Sequence, residues 1–191
     1  MLGRAFLKYI DRVKNQEDLV SVSTPFLKEF ASEIGETINL GILYNDEVIY
    51  LKSIRGERFT FRVQLLPVAP LYNSSLGKIF LSTFSNEALE DYIHKTTFEK
   101  TTINTIVDID KFKEEIDKVK KQNIAYDNEE AEYGLTCVAL PITKSNKVIA
   151  AISVSGPTSR LKIKGLNKII QTLQDTADSI NHAISTIDDI N

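Results

Sequence analysis

Apolar and polar positions alternate with period two over Thr37–Tyr44 and again over residues 48–54, with Asn45-Asp46 between the runs. That pattern predicts an antiparallel hairpin closed by a two-residue turn. Upstream, a helix-like segment over 2–10 leads through Asn15 and Gln16 into a second helical run over 19–34. There Pro25 must sit in a first turn or impose a kink, and Gly35 stops the helix. After a polar loop at 55–58, residues 59–63 read as a strand, and Pro67 and Pro70 force an irregular approach to Asn73. A helix follows over 74–84, Ser85 caps one over 87–94, and Asp108 or Asp110 caps a third ending near Gln122. Strands are then expected at 124–127, 137–143 and 148–155, the last two joined by Lys144-Ser145-Asn146-Lys147. In the final helix, Leu166, Leu173, Ile180 and Ile187 recur every seven residues, with Ile170, Ala177 and Ile184 between them. Such a stripe either lies on the sheet as core or meets a partner helix at a subunit interface.

This order of elements gives an α+β class: an antiparallel sheet of about six strands with helices packed on its faces. A length of 191 residues suits one domain plus a helical extension better than two domains. With 23 basic against 26 acidic residues the net charge is −3, a poor footprint for gripping phosphates unaided. The single cysteine excludes an internal disulfide, and the start MLGRAFLKYIDR lacks the apolar core of a signal peptide. No run approaches the roughly 18 apolar residues of a membrane helix. A reducing, cytoplasmic setting is the expectation.

Candidate chemistry concentrates in the last strands. On the strand over 148–155, Ile149, Ala151, Ser153 and Ser155 share one face, while Ala150, Ile152 and Val154 share the other. A buried hydroxyl without a partner costs roughly 1–3 kcal/mol, so two in succession call for backbone partners, water or a polar ligand. Asp127 and Cys137 are further polar groups in apolar strands, with Leu135 as an apolar wall. Asp127 suits a ligand hydroxyl or an ordered water better than an acid, which its charge would repel; as a solvated loop acid it would need neither. At LYNSSLGK, residues 71–78, Asn73 or Ser74 can cap a helix whose first amides, near Ser75, Leu76 and Gly77, would welcome a carboxylate. Gly77 would also admit a ligand close to the backbone. Any capped helix start has such donors. Cys137 reads as a packed thiol, because neither His94 nor His182 has a spacing that ties it to that residue as a base. No Ser/His/Asp triplet, Gly-rich phosphate loop or metal-spaced carboxylate set appears, so neither catalysis nor a cofactor is expected. The alternatives are a cysteine-dependent enzyme and a metal sensor using Cys137, Asp127 and a histidine.

Several segments in order carry a resemblance: Leu2-Gly3, GETINLGIL at 35–43, LYNSSLGK at 71–78, AYDNEEAEYGLTCVALPI at 125–142 and AAISVSGPTSRL at 150–161. Together they resemble the effector-binding domain of IclR-type bacterial transcription regulators over nearly the whole chain. The resemblance implies a GAF-like sheet over residues 17–191 that binds a small effector, usually an organic acid. Residues 1–16 would be the linker helix from an N-terminal winged helix-turn-helix, which carries the DNA contacts and is absent from this sequence. It also implies self-association as a dimer or tetramer. The implied effector contacts are Tyr72, Asn73, Ser75, Leu76, Gly77, Asp127, Leu135, Cys137, Ser153 and Ser155. Tyr72 and Asn73 place a phenol and an amide where the family usually has histidine and alanine.

Overall fold

The computed structural model describes residues 3–56 and 68–186. In chain order the elements are α1 (Gly3–Ile34), β1 (Thr37–Tyr44), β2 (Glu47–Ile54), β3 (Val68–Pro70), α2 (Ser75–Leu81), α3 (Asn86–Lys95) and α4 (Ile109–Gln122). Then come β4 (Ala125–Asn128), β5 (Leu135–Lys144), β6 (Lys147–Pro157), α5 (Thr158–Lys164) and α6 (Leu166–Ser185). The sheet order is β3-β2-β1-β6-β5-β4, and every neighbouring pair is antiparallel. This is the α+β arrangement expected from the pattern.

Both hairpins close on two-residue turns with positive φ, Asn45-Asp46 (48° and 61°) and Ser145-Asn146 (49° and 61°). That left-handed geometry matches the twist of the flanking strands, and Asn and Asp adopt it most readily among non-glycine residues. Asn123 ends α4 in the same conformation, with its amide on the Val119 carbonyl. Ser85 and Asp108 cap α3 and α4 through their side chains, as their sequence positions predict.

Two expectations need correction, and one lies outside the described residues. The two helical runs at the start form one helix, α1, with Pro25 inside it. Asn15 and Gln16 do not break it, since each costs only a fraction of a kcal/mol in a helix interior. The strand expected at 59–63 lies outside the described residues. The sixth described strand is β3, which carries Pro70 at the sheet edge, where a residue without an N–H is tolerated. Helix α2 ends at Leu81, because the Ser82 and Thr83 hydroxyls bond to the Ile79 and Phe80 carbonyls. The short helix α5 had no periodic signal long enough to announce it.

The two faces of the sheet are covered differently. Ile38, Leu40, Leu140, Ile152 and Val154 pack against Leu27 and Phe30 of α1 and Leu173, Ala177, Ile180 and Ile184 of α6. The heptad stripe of α6 is therefore core, with Leu166 and Ile170 half-buried at its margin; Ile187 lies outside the described residues. On the opposite face α2 lies across β4, β5 and β6, with α4 packed against it. Here the sheet offers small residues, Ala125, Ala139 and Ala151, beneath Leu76, Ile79 and Phe112. Gly41 belongs to this face as well: a Cβ there would stand 3.1 Å from Leu76 Cδ1, so its absence lets Leu76 settle on β1. Small residues bring a helix close to the strands.

Candidate functional site

Strand register assembles the polar groups. Asp127 pairs with Cys137, Cys137 with Ser155, and Ser155 with Thr37, so four strands contribute one row. The adjacent same-face row is Ala125, Ala139, Ser153, Asn39 and Ser53, and the next contains Pro141, Ala151, Gly41 and Tyr50. Asp127, Cys137, Ser153, Ser155, Thr37 and Asn39 are all buried on the α2 side, and Leu135 continues that side at the start of β5. Ile152 faces the α1 and α6 layer, as its parity requires. Asn39 Nδ2 donates to Ser155 Oγ (3.0 Å) and Ser153 Oγ (3.3 Å), while Ser53 Oγ donates to Asn39 Oδ1 (2.8 Å). Cys137 lies between Asp127 and Ser155 in the strand register. Thr37 Oγ1 is buried without a partner among the described residues. Tyr50 stands near Cys137 and Asp127, and burial, reinforced by those two groups, pushes its phenol well above the usual range.

Asp127 is held by the loop after β4. Its Oδ1 accepts from the Glu130 amide (2.7 Å) and the Ala131 amide (3.3 Å). Glu129 adopts a positive φ of 61°, unusual for its type, and is fixed there by three contacts: its carboxylate accepts from the Gly134 amide, its carbonyl from Thr102 Oγ1, and its amide donates to the Leu135 carbonyl. Burial raises the Asp127 carboxyl to about 6 from 3.8, with the Glu130 charge adding to the rise and the two amides and Lys78 opposing it. The folded chain therefore binds this proton more tightly than the unfolded chain does. The penalty is absent below about pH 4, grows as pH rises through the window, and is complete above about 6. Asp127→Asn keeps an acceptor for both amides and removes the charge. It is expected to raise stability at pH 7 by on the order of 2 kcal/mol and to flatten the pH dependence between about 4 and 6, as read by urea unfolding across that range.

Other expected site residues have partners elsewhere. Ser74, not Asn73, caps α2; its Oγ accepts from the Gly77 amide at 3.1 Å. The Gly77 amide is thus not free for a ligand, although Ser75 and Leu76 keep first-turn amides without an intrahelical acceptor. Gly77 serves packing: a Cβ there would stand 2.3 Å from Leu71 Cα and O, so the backbone, not a ligand, occupies the space its side chain would need. Tyr72 donates to the Glu99 carbonyl at 3.0 Å and packs against Phe98 in a tilted ring pair, with centroids 5.0 Å apart and planes at 55°. Its phenol holds the 96–101 segment. Asn73 is buried directly before the cap.

The pattern of residues did not reveal Lys78 or Glu130 as site supports. Lys78 of α2 is fully buried; its Nζ donates to Glu130 Oε1 (2.6 Å) and the Tyr126 carbonyl (2.9 Å) and lies 3.5 Å from Glu115 Oε1. The Glu130 carbonyl in turn accepts from the Thr101 and Thr105 hydroxyls. Helix α2, the Asp127 loop and the threonine segment are thereby tied together at Glu130.

The chain matches the family described as "Bacterial transcriptional regulator IclR C-terminal" over residues 11–182. This chain belongs to the IclR family. Among curated IclR relatives, the HTH-type transcriptional regulator KdgR of Dickeya chrysanthemi is 29% identical over 167 residues, 86% of this chain and 54% of that protein. The chain thus spans about half the length of that relative. The crystal structure of transcriptional regulator YaiJ superposes with a TM-score of 0.84 at 27% identity, covering 88% of this chain and 96% of that one. The inducer-binding domain of a double mutant of the PobR transcription factor from Acinetobacter, in complex with 3-hydroxybenzoic acid, gives 0.78 at 25% identity, covering 85% and 97%. The region matched is the C-terminal, effector-binding domain of IclR regulators.

Within this IclR domain neither alternative gains support. Burial, then the Asp127 charge, drives the Cys137 thiol well above its ordinary range, the opposite of an activated nucleophile. His94 and His182 are exposed on α3 and α6, away from it. Among the described residues no group of three His, Cys, Asp or Glu side chains is arranged to hold a metal, and no described helix is long and apolar enough to cross a membrane. A groove of about 300 Å³ near the end of α1, lined by Ser32, Glu33, Lys164 and Lys168, lies apart from the polar rows. There the Lys164 ammonium is already committed to the Glu36 carboxylate and the Ile34 carbonyl.

Proposed function

We propose that this domain senses a small organic acid for a DNA-binding transcription regulator, with the acid lying between α2 and the polar rows of the sheet. Asp127, Cys137, Ser153 and Ser155 contact it, Leu135 and Leu76 wall it, and the Ser75 and Leu76 amides supply further donors. The observation that carries this reading is the buried row from Asp127 to Thr37, which ends in a hydroxyl without a partner among the described residues. The Acinetobacter inducer-binding domain with its hydroxybenzoic acid supports the ligand class. Residues 1–16 act as the linker to an N-terminal DNA-binding domain, and the regulator works in the cytoplasm as a dimer or tetramer without catalytic activity. Sedimentation of the purified domain is expected to show self-association; a monomer at working concentration contradicts that part.

The test is a thermal-shift screen with small carboxylates. A matching acid at a hundred times its Kd adds about 2.7 kcal/mol by mass action, roughly 5–10 °C for a domain of this size. The Ser153→Ala, Ser155→Ala double variant removes two hydrogen bonds to a charged ligand and is expected to weaken binding at least about 30-fold. No shift with any acid, or an unchanged double variant, overturns the carboxylate reading.

A further inference from the structure

Helix α5 is only seven residues long, and both of its ends are bound to other parts of the fold. At its start the Thr158 amide donates to the Gly134 carbonyl (2.8 Å), and the Thr158 and Thr136 hydroxyls share a hydrogen bond (2.9 Å). Gly134 belongs to the loop that holds Asp127. Its amide donates to the Glu129 carboxylate, while the Glu130 and Ala131 amides of the same loop donate to Asp127. Further along α5, Arg160 and Lys164 converge on the buried carboxylate of Glu36. Arg160 donates from Nε and Nη2 to its two oxygens, and Lys164 Nζ donates to one of them. Lys164 Nζ also donates to the carbonyl of Ile34 (2.6 Å), the last residue of α1, where no later turn of helix supplies a donor.

A helix of seven residues is about 10 Å long and bends little, so its two ends move together. The backbone on either side of it has room to turn. Gly134, which meets its start, and Gly165, which follows its end, have φ of 77° and 85°, and a Cβ at either would meet nothing within 4 Å. The end of α1, in contrast, has a fixed point: a Cβ on Gly56 would stand 2.1 Å from the Gly35 carbonyl carbon, so those two backbones are in contact. Helix α1 spans 32 residues. At about 48 Å, a tilt of about 5° around that point moves its start by about 4 Å.

We propose that α5 is a transmission strut: it couples the loop holding Asp127, through Thr158, to the last turn of α1, through Arg160 and Lys164. A shift of the loop moves Thr158, and the other end of α5 carries Ile34 and Glu36 with it. Such coupling is reciprocal, so disturbing the end of α1 also disturbs the loop. That an acid in the pocket causes the shift, and that α1 passes it to a DNA-binding domain, rests on the sensing function proposed above.

Amide hydrogen exchange of the domain, followed residue by residue by NMR, tests the coupling without a ligand. Thr158→Val keeps the branched shape and removes the hydroxyl. It is expected to speed exchange of the Gly35 amide, which donates to the Ala31 carbonyl, about threefold or more relative to the amides of Leu173, Ala177 and Ile180 in the buried stripe of α6. That is within the range of one hydrogen bond. Thr158→Ser restores the hydroxyl and should restore the rate. Lys164→Met is expected to speed the Glu130 and Ala131 amides by a similar factor on the same scale. Acceleration confined to the altered end of α5 would mean two separate anchors, and equal acceleration of all these amides a general loss of stability; either overturns the proposal. Should Lys164→Met fail to fold, Thr158→Val and Thr158→Ser carry the test alone. If the two ends are coupled but no carboxylate binds, the strut stands and the acid-sensing reading falls. If a carboxylate binds and the ends exchange independently, the strut falls and the sensing function stands.

Discussion

Replacing Lys78 by methionine is expected to cost about 3–5 kcal/mol, because it leaves the Glu130 carboxylate buried opposite an apolar side chain. Lys78 is fully buried and Glu130 nearly so, and Glu130 Oε2 already lacks a partner among the described residues. Removing the ammonium therefore exposes a desolvation cost that it now offsets. Chemical unfolding at pH 7 measures the loss, and the Lys78→Met, Glu130→Gln pair should recover a large part of it. A sign argument provides a second check. Burial already raises the Glu130 carboxyl, and Lys78 is the largest opposing influence, so the variant's carboxyl rises further and takes up a proton in the folded state as pH falls. The deficit should shrink towards pH 5. A deficit that is small at pH 7, or that grows on acidification, would show that Lys78 is not the counter-charge described here. Because Glu130 also donates its amide to Asp127, the variant should lose effector response together with stability.

Gly77→Ala is expected to destabilise the domain by about 3 kcal/mol or more, at the upper end of overpacking effects. The new methyl would meet the backbone of Leu71 at 2.3 Å, with no flexible side chain to give way, so α2 must lift from the segment that precedes it. Gly134→Ala separates this cause from backbone strain: Gly134 has a φ of 77° with nothing within 4 Å of a Cβ, so only the conformational cost of about 1 kcal/mol applies. Urea midpoints for the two variants compare them directly. Equal losses would mean that close approach at Gly77 is unimportant. Since α2 covers the polar rows, the Gly77 variant should also bind effector poorly even where it remains folded.

Much of the polar face was legible because strand parity is local. Ser153 and Ser155 fall on one side of β6 by counting in twos, and the structure puts them there. The same count along Thr37, Asn39 and Gly41, against Ile38, Leu40 and Ile42, carries the signal for Asn39 and Thr37, which the hairpin reading passed over. Tyr50 and Ser53 on β2 are harder to find, because a register shift between Leu40 and Gly41 changes which residues of the two strands oppose each other. Gly77 illustrates a different limit. A glycine after a capping serine reads equally well as an opening for a ligand or as room for a chain, and only the position of Leu71 distinguishes them.

Periodicity, turn residues and caps, all properties of a few neighbouring residues, were enough to determine the two hairpins, the helix starts at Ser85 and Asp108, and the buried stripe of α6. Which polar groups meet was decided by tertiary structure alone. The ion pair between Lys78 and Glu130 joins residues 52 apart, and the bond from Asn39 to Ser155 joins residues 116 apart. No local pattern encodes those contacts, because they depend on β1 pairing with β6 and on α2 crossing the sheet, and both arise only when the whole chain buries its apolar surface at once.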